Sequence, residues 1–273
     1  KRIDGFTLDI NNVGRKSLGI TLPEDIHSVI NVPRSFGLCG ITGKGDNRAA
    51  VYVDFFTGET ETLAADVIAL FMTTTNSATA IVCRDGICTL RTLPVEIGAD
   101  YLTKSDRPAP VQPTFSLPEG LRPEFFGDYP GMPVGTSGSY LMSANRGNGN
   151  WTTVVLDKDG FHKAEDIEAA AVIPFNVGED AGYIVTYDTG VNLFRPVNPE
   201  TGVMGHSAYT CNNIGRILSV TSNPGRPDHL LLNFSEAFNG TSIYDLNWND
   251  PKSLSPIVLP NLTDGYAEAL MAN

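Results

Sequence analysis

The chain has 273 residues, with 19 basic against 31 acidic side chains and a formal net charge of −12, a balance that excludes nucleic acid and anionic membrane as its main partners. Hydrophobic residues make up 41% and charged residues 18%, enough apolar matter for a core and too little charge for a disordered chain. No apolar run approaches the roughly 20 residues of a spanning helix, and the opening Lys1-Arg2-Ile3-Asp4 shows neither an initiator Met nor an apolar leader, which sets the expectation of a chain trimmed ahead of Lys1.

In place of helical periodicity the apolar residues come as short runs of Val, Ile, Thr, Tyr and Phe, broken by Gly, Asp, Asn and Pro. That is an all-β pattern, and the 27 Gly and 18 Pro supply the reversals it needs. In chain order, runs at 6–10 and 17–22 come first, then a complete unit at 27–32, 37–41, 50–54 and 59–63. Paired runs follow at 67–71 with 80–83, 139–144 with 152–156, and 170–175 with 183–187. The clearest unit comes next, four strands at 216–221, 229–234, 242–246 and 254–258, and a single run at 265–270 ends the chain. Arg84-Asp85-Gly86, Asp157-Lys158-Asp159-Gly160 and Asp188-Thr189-Gly190 supply tight-hairpin chemistry between neighbouring strands.

Inner-strand starts near 27, 66, 124, 169, 215 and 265 recur at intervals of about 39 to 58 residues, close to the roughly 40 to 50 of one propeller blade. The expected fold is a six-bladed β-propeller, one domain over 1–273, its last blade closed by joining the N-terminal runs to the strand at 265–270 so that no long edge is left unpaired. A five- or seven-bladed ring or a β-sandwich is built from the same short strands. One stretch breaks the rhythm: 97–138 holds seven of the 18 prolines, and reads as an inter-blade insertion capping the channel or covering an outer sheet face.

In such a ring the starts of the inner strands and the loops between second and third strands meet on one face, the default ligand site. His27 and Arg216 begin inner strands and with Tyr266 are the expected catalytic hydrogen-bond donors, although capping or structural roles suit the same residues. Asp66, Tyr129, Trp151, Asn213 and Phe126 are the expected substrate contacts, Trp151 through ring stacking and Phe126 as apolar lining, with turn chemistry or core packing as the competing roles. Four cysteines at 39, 83, 88 and 211 allow three pairings, and Cys83 with Cys88 flank a hairpin turn where a disulfide fits, reduced core thiols being the alternative. Neither Cys-x-x-Cys nor His-x-x-x-His occurs, so no metal site is expected; no Walker spacing or Gly-x-Ser-x-Gly elbow is present either. Sequons at Asn150, Asn239 and Asn261 fall at loop edges where a glycan fits, and a fourth at Asn233 falls inside a strand. With the hairpin disulfide they point to a secreted or secretory-lumen protein.

The Asp-Thr-Gly and Asp-Lys-Asp-Gly turns of the repeat, with Ser-Asn-Pro-Gly-Arg-Pro-Asp-His-Leu at 222–230, resemble six-bladed secreted propellers of the gluconolactonase and strictosidine-synthase type. The lactonases of that group hold an axial divalent metal with Glu, Asn and Asp side chains; His27, Asp66, Glu168 and Arg216 here differ from that set. A weaker similarity is to glycosylated fungal propellers of secondary metabolism, including hetero-Diels–Alderases, which work without metal in a capped apolar channel. These resemblances imply a small-molecule enzyme without cofactor that promotes cyclisation or cycloaddition of a hydrophobic, oxygen-bearing substrate by orientation and one activating hydrogen bond. A glycan-binding lectin, a metal-dependent lactonase or glycosidase, and a protein-binding scaffold are the other classes the residues allow.

Overall fold

The computed structural model of the chain describes residues 2–9, 12–31, 37–55, 57–73, 78–95, 113–135, 137–198, 202–206, 209–211, 214–223, 226–238, 241–250 and 252–257. Its strands follow the runs of the sequence. β1 (Arg2–Asp9) and β2 (Asn12–Thr21) pair as a two-stranded hairpin. Four strands then form the first four-stranded sheet in sequential order: β3 (His27–Asn31), β4 (Gly37–Thr42), β5 (Ala49–Asp54) and β6 (Thr60–Ala65). The second sheet holds β7 (Val67–Met72), β8 (Ala78–Arg84), β9 (Ile87–Thr92) and β10 (Thr114–Ser116), and the third β11 (Met132–Val134), β12 (Ser139–Asn145), β13 (Asn150–Asp157) and β14 (Gly160–Glu168). The fourth comprises β15 (Ala171–Val177), β16 (Asp180–Thr186), β17 (Asn192–Pro196) and β18 (Tyr209–Cys211), and the fifth β19 (Ile217–Asn223), β20 (Arg226–Phe238), β21 (Thr241–Asn247) and β22 (Ser255–Pro256). Every pairing is between sequence neighbours and antiparallel, the signature of propeller blades.

Among the described residues there are therefore five four-stranded blades, which corrects the expected six. The N-terminal runs satisfy each other's edges, from Arg2 opposite Thr21 to Asp9 opposite Asn12, instead of joining a four-stranded sheet. The run at 265–270, expected to close that sixth blade, lies outside the described residues. Two short strands fall within the 97–138 stretch that reads as an insertion. Thr114–Ser116 is the outer strand of the second blade and Met132–Val134 the inner strand of the third, so that inner strand starts at 132, not near 124. Pro133 is tolerated there because β11 is the edge strand of its sheet among the described residues.

Inner strands read as nearly unbroken apolar runs because a blade's inner strands are covered on both faces. All but the last residue of Val67–Met72 are buried, whereas the outer strand Thr60–Ala65 is mostly exposed. The core accordingly lies between blades. One cluster of buried side chains joins blades three, four and five through Leu141, Val155, Phe175, Phe194, Leu230 and Phe234, and a second joins blades two and three through Phe71, Ile81, Met142 and Val154. A buried aromatic or aliphatic side chain of this kind contributes about 1.5–3 kcal/mol. Tyr183 of β16 adds a polar lock, its hydroxyl facing Val154 O at 2.9 Å and Met142 O at 3.1 Å in the third blade. Trp248 packs on Phe175 and Phe194 and donates its indole N–H to Asp180 at 2.8 Å.

Candidate functional site

The starts of β3, β7, β11, β15 and β19 and the loops between second and third strands gather at one end of the ring, as the blade topology requires. On the first two blades this face is occupied by internal contacts. Arg48, 4% exposed at the start of β5, donates from Nε to Gly45 O at 3.1 Å, from Nη1 to Phe126 O at 2.6 Å, and from Nη2 to Pro123 O. His27 places Nδ1 2.7 Å from Gly127 O and Nε2 3.4 Å from Gly43 O, and the Ser28 hydroxyl donates to the same Gly127 carbonyl. Three side chains of the first blade thus hold the 123–127 segment by its carbonyls. His27, expected as a catalytic donor, is engaged in this anchor, and Phe126, expected as pocket lining, is buried in the core between blades two and three.

Asp66 stands at the junction of β6 and β7 with φ 58° and accepts Arg84 Nε at 2.9 Å and Nη2 at 2.5 Å. The pair borders a cleft of about 160 Å³ lined by Arg48, Cys83, Asp85 and Pro123 among others. The expected substrate contact at Asp66 is already met by a cation of the same chain.

The third, fourth and fifth blades present a different arrangement around Arg216. Asn192, fully buried at the start of β17, donates its amide to Gly190 O at 3.0 Å and Gly215 O at 2.9 Å, while its carbonyl accepts Ile217 N–H at 2.9 Å and the Thr186 hydroxyl at 2.6 Å. The residues on either side of Arg216 are therefore pinned to the fourth blade. Arg216 itself donates its N–H to Ser235 Oγ at 3.0 Å and accepts Ser235 N–H at 2.8 Å. Gly215 has φ +83°, and a Cβ there would stand 2.5 Å from Ser235 Oγ, so only glycine allows this close approach. From that braced backbone the Arg216 side chain, 42% exposed, donates Nη1 to Asp188 Oδ1 at 2.9 Å, and the Asp188 side chain is 84% exposed.

Tyr129 belongs to the same face. It is half-buried, with its ring centroid 5.9 Å from that of Trp151. Burial, with the Asp128 carboxylate adding to it and the Arg216 cation opposing, pushes its phenol up to about 12, so it stays protonated as a donor at neutral pH. Asp128 accepts Asn145 Nδ2 at 2.8 Å, which ties the approach to β11 to the end of β12. Trp151, expected to stack on a ligand, is 3% exposed and serves instead as the floor under Tyr129. At the rim, Asp166 accepts Lys163 Nζ at 2.6 Å and the Thr152 hydroxyl at 2.7 Å, bonds that hold its carboxyl below the usual carboxylate range, with desolvation opposing.

The structure thus brings together Tyr129, Trp151 and Arg216 and places His27, Phe126 and Asp66 in a separate anchoring region. Tyr266, Asn213, Asn239 and Asn261 lie outside the described residues. Asn150 is exposed at the start of β13. Cys83 and Cys88 form a disulfide, and Cys39 is a free buried thiol whose pKa burial pushes up to about 12. Among the described residues no group of three or more His, Cys, Asp or Glu side chains is placed to hold a metal, and no helix is long and apolar enough to cross a membrane. Sequence reasoning missed Asn192 and Asp188 as site residues. Asp188 stood in a recognised turn, and an Asn two residues after its glycine was the available signal.

The sequence matches a family profile described as DUF4784 WD40-like domain over residues 17–256. No curated protein matches it. Among solved structures, a DUF4784 family protein from Bacteroides caccae is 28% identical with a TM-score of 0.65; the match covers 83% of this chain and 60% of that one, so the chain spans little more than half the relative's length. A protein of unknown function from Bacteroides caccae is 9% identical with a TM-score of 0.50, covering 82% of this chain and 78% of the other. TolB from Acinetobacter baumannii is 9% identical with a TM-score of 0.46, covering 86% and 55% respectively.

Proposed function

This chain belongs to the DUF4784 WD40-like family, and we propose that it is a binding propeller whose channel face holds a small hydroxylated molecule, of the sugar class, between Tyr129 and Arg216. The observation that carries this reading is the bracing of Arg216. Its backbone is fixed by Ser235, its neighbours are fixed by buried Asn192, and its guanidinium nevertheless projects half-exposed to an exposed carboxylate. A long cation on so rigid a mount is pre-organised to donate hydrogen bonds without paying for its own ordering on binding. Tyr129 adds an apolar ring face and a phenolic donor, the pairing that suits a pyranose with one apolar face and a rim of hydroxyls.

Metal-free cyclisation in the channel has less support. Of its three donors, His27 is engaged with Gly127 O and Tyr266 is outside the described residues, which leaves Arg216 alone. The Cys83–Cys88 disulfide supports placing the protein in an oxidising compartment, secreted or in a secretory lumen, and Asn150 is exposed enough to carry a glycan there. Calorimetric titration of a monosaccharide and oligosaccharide panel tests the binding reading. Arg216→Ala and Tyr129→Ala should each weaken any binder by about tenfold or more. Undiminished binding in both variants would move the site elsewhere.

A further inference from the structure

The unused hydrogen-bonding capacity of Arg216 narrows the ligand class. We infer that the channel face takes an acidic saccharide, with a ligand carboxylate on the Arg216 guanidinium and a sugar ring against Tyr129, an inference that rests on the binding reading above. Among the described residues the guanidinium makes one hydrogen bond, from Nη1 to Asp188 Oδ1 at 2.9 Å, and its Nε and Nη2 donors have no partner. Arginine presents a planar fork that matches a carboxylate with two parallel bonds, so a single-point contact leaves the better geometry open. Asp188, its side chain 84% exposed in the Asp188-Thr189-Gly190 turn, is held there by little else that is described, and its carboxylate returns to water at small cost. It acts as a resident stand-in that an incoming carboxylate displaces.

Charge separates a carboxylate from a phosphate. Arg216 is the cation beside Tyr129, with Asp188 and Asp128 on the same face, while Arg146 and Lys163 at the rim are both paired with Asp166, in a chain of net charge −12. One cation can neutralise a singly charged group; a doubly charged phosphate would leave a negative remainder among carboxylates. Asp128 and the Tyr129 hydroxyl then supply the acceptor and the donor for ring hydroxyls, and the phenol is protonated at neutral pH, where a uronate is ionised.

The test is titration calorimetry of the intact chain with galacturonate, glucuronate, galactose, glucose and glucose 6-phosphate, repeated on Arg216→Gln and Asp188→Asn, with a thermal melt confirming that each variant is folded. The expected result is that a uronate binds about tenfold more tightly than its neutral parent, that Arg216→Gln erases this preference, and that Asp188→Asn strengthens uronate binding several-fold because the competing carboxylate is gone. Neutral sugars binding as well as uronates, with loss in Tyr129→Ala, would overturn the acidic class and leave the binding reading standing. A preference for glucose 6-phosphate would overturn the assignment to a carboxylate, and an Asp188→Asn variant with weakened uronate binding would overturn the displacement mechanism. Binding of no sugar of either kind would overturn both readings together.

Discussion

Asn192 accepts the backbone N–H of Ile217 at 2.9 Å, a side chain of the fourth blade closing a bond on the first residue of the fifth. With Gly190 O, Gly215 O and the Thr186 hydroxyl as further partners, one buried carboxamide serves four groups at the blade junction. Asn192→Leu would leave these groups without their partner in a dry site, at about 1–3 kcal/mol for each group not re-satisfied. The expected loss in urea denaturation is therefore at least about 3 kcal/mol, larger than for a surface substitution. Asn192→Asp is the sharper probe, because it keeps the acceptor for Ile217 but cannot donate to Gly190 and Gly215. Its sugar binding should weaken alongside its stability, since the Arg216 backbone loses its mount. Wild-type midpoints in both variants would show that the junction is held by packing alone.

The contrast between the two halves of this face explains what the sequence made legible. Four inner strands begin within two residues of where the blade rhythm placed them, at His27, Val67, Ala171 and Ile217, because strands covered on both faces must be apolar and their turns must carry Gly and Asp. The third inner strand was misplaced by eight residues because Pro118, Pro123 and Pro130 hide the boundary between a loop and a three-residue edge strand. The Cys83–Cys88 pair was legible because the partners flank one turn. The anchoring role of Arg48 was not, since its carbonyl acceptors lie 75 and 78 residues away and any exposed loop arginine looks the same in sequence. Burial of Trp151 was illegible for a related reason: the glycine-rich loop before it signals exposure, while β13 turns its ring inward beneath Tyr129.

Arg48 should be needed for the position of the 123–127 segment more than for the blades themselves. Lysine carries the charge but not the fork, so Arg48→Lys satisfies at most part of the set Gly45 O, Phe126 O and Pro123 O. The expected cost is about 2–3 kcal/mol, from buried carbonyls left unpaired. Amide exchange should accelerate selectively between Phe125 and Gly131, with β12 and β13 unchanged in rank. Uniform acceleration across the third blade would contradict an anchoring role.

The disulfide joins residues directly opposite in the β8–β9 ladder, five positions apart in sequence. A loop that short restricts the unfolded chain only modestly, so the chain-entropy contribution is about 2 kcal/mol. Cys83→Ala/Cys88→Ala should lower stability by that amount, and reductant should lower the wild type equally while leaving the double variant unmoved. A wild type insensitive to reductant after full unfolding and refolding would mean that the thiols, not the bridge, are the stable form.

Tyr183 gives the fold a signature at high pH. Burial raises its phenol well above the ordinary tyrosine range, and the ring is fully enclosed. A raised folded pKa contributes stability that is complete below the unfolded pKa, about 10, and is lost as pH climbs toward the folded value, because the unfolded chain can release the proton and the folded one cannot. Above pH 10 this single group should therefore reduce stability by up to about 1.4 kcal/mol per pH unit. Tyr183→Phe removes that term while forfeiting the hydroxyl's bonds, about 1–2 kcal/mol at neutral pH. The two proteins should differ in the wild type's favour at pH 8, and the gap should close and then reverse between pH 10 and 11.5 in urea titrations. A gap that stays constant across that interval would mean that the phenol ionises as readily folded as unfolded, which its position against two carbonyls between the third and fourth blades does not allow.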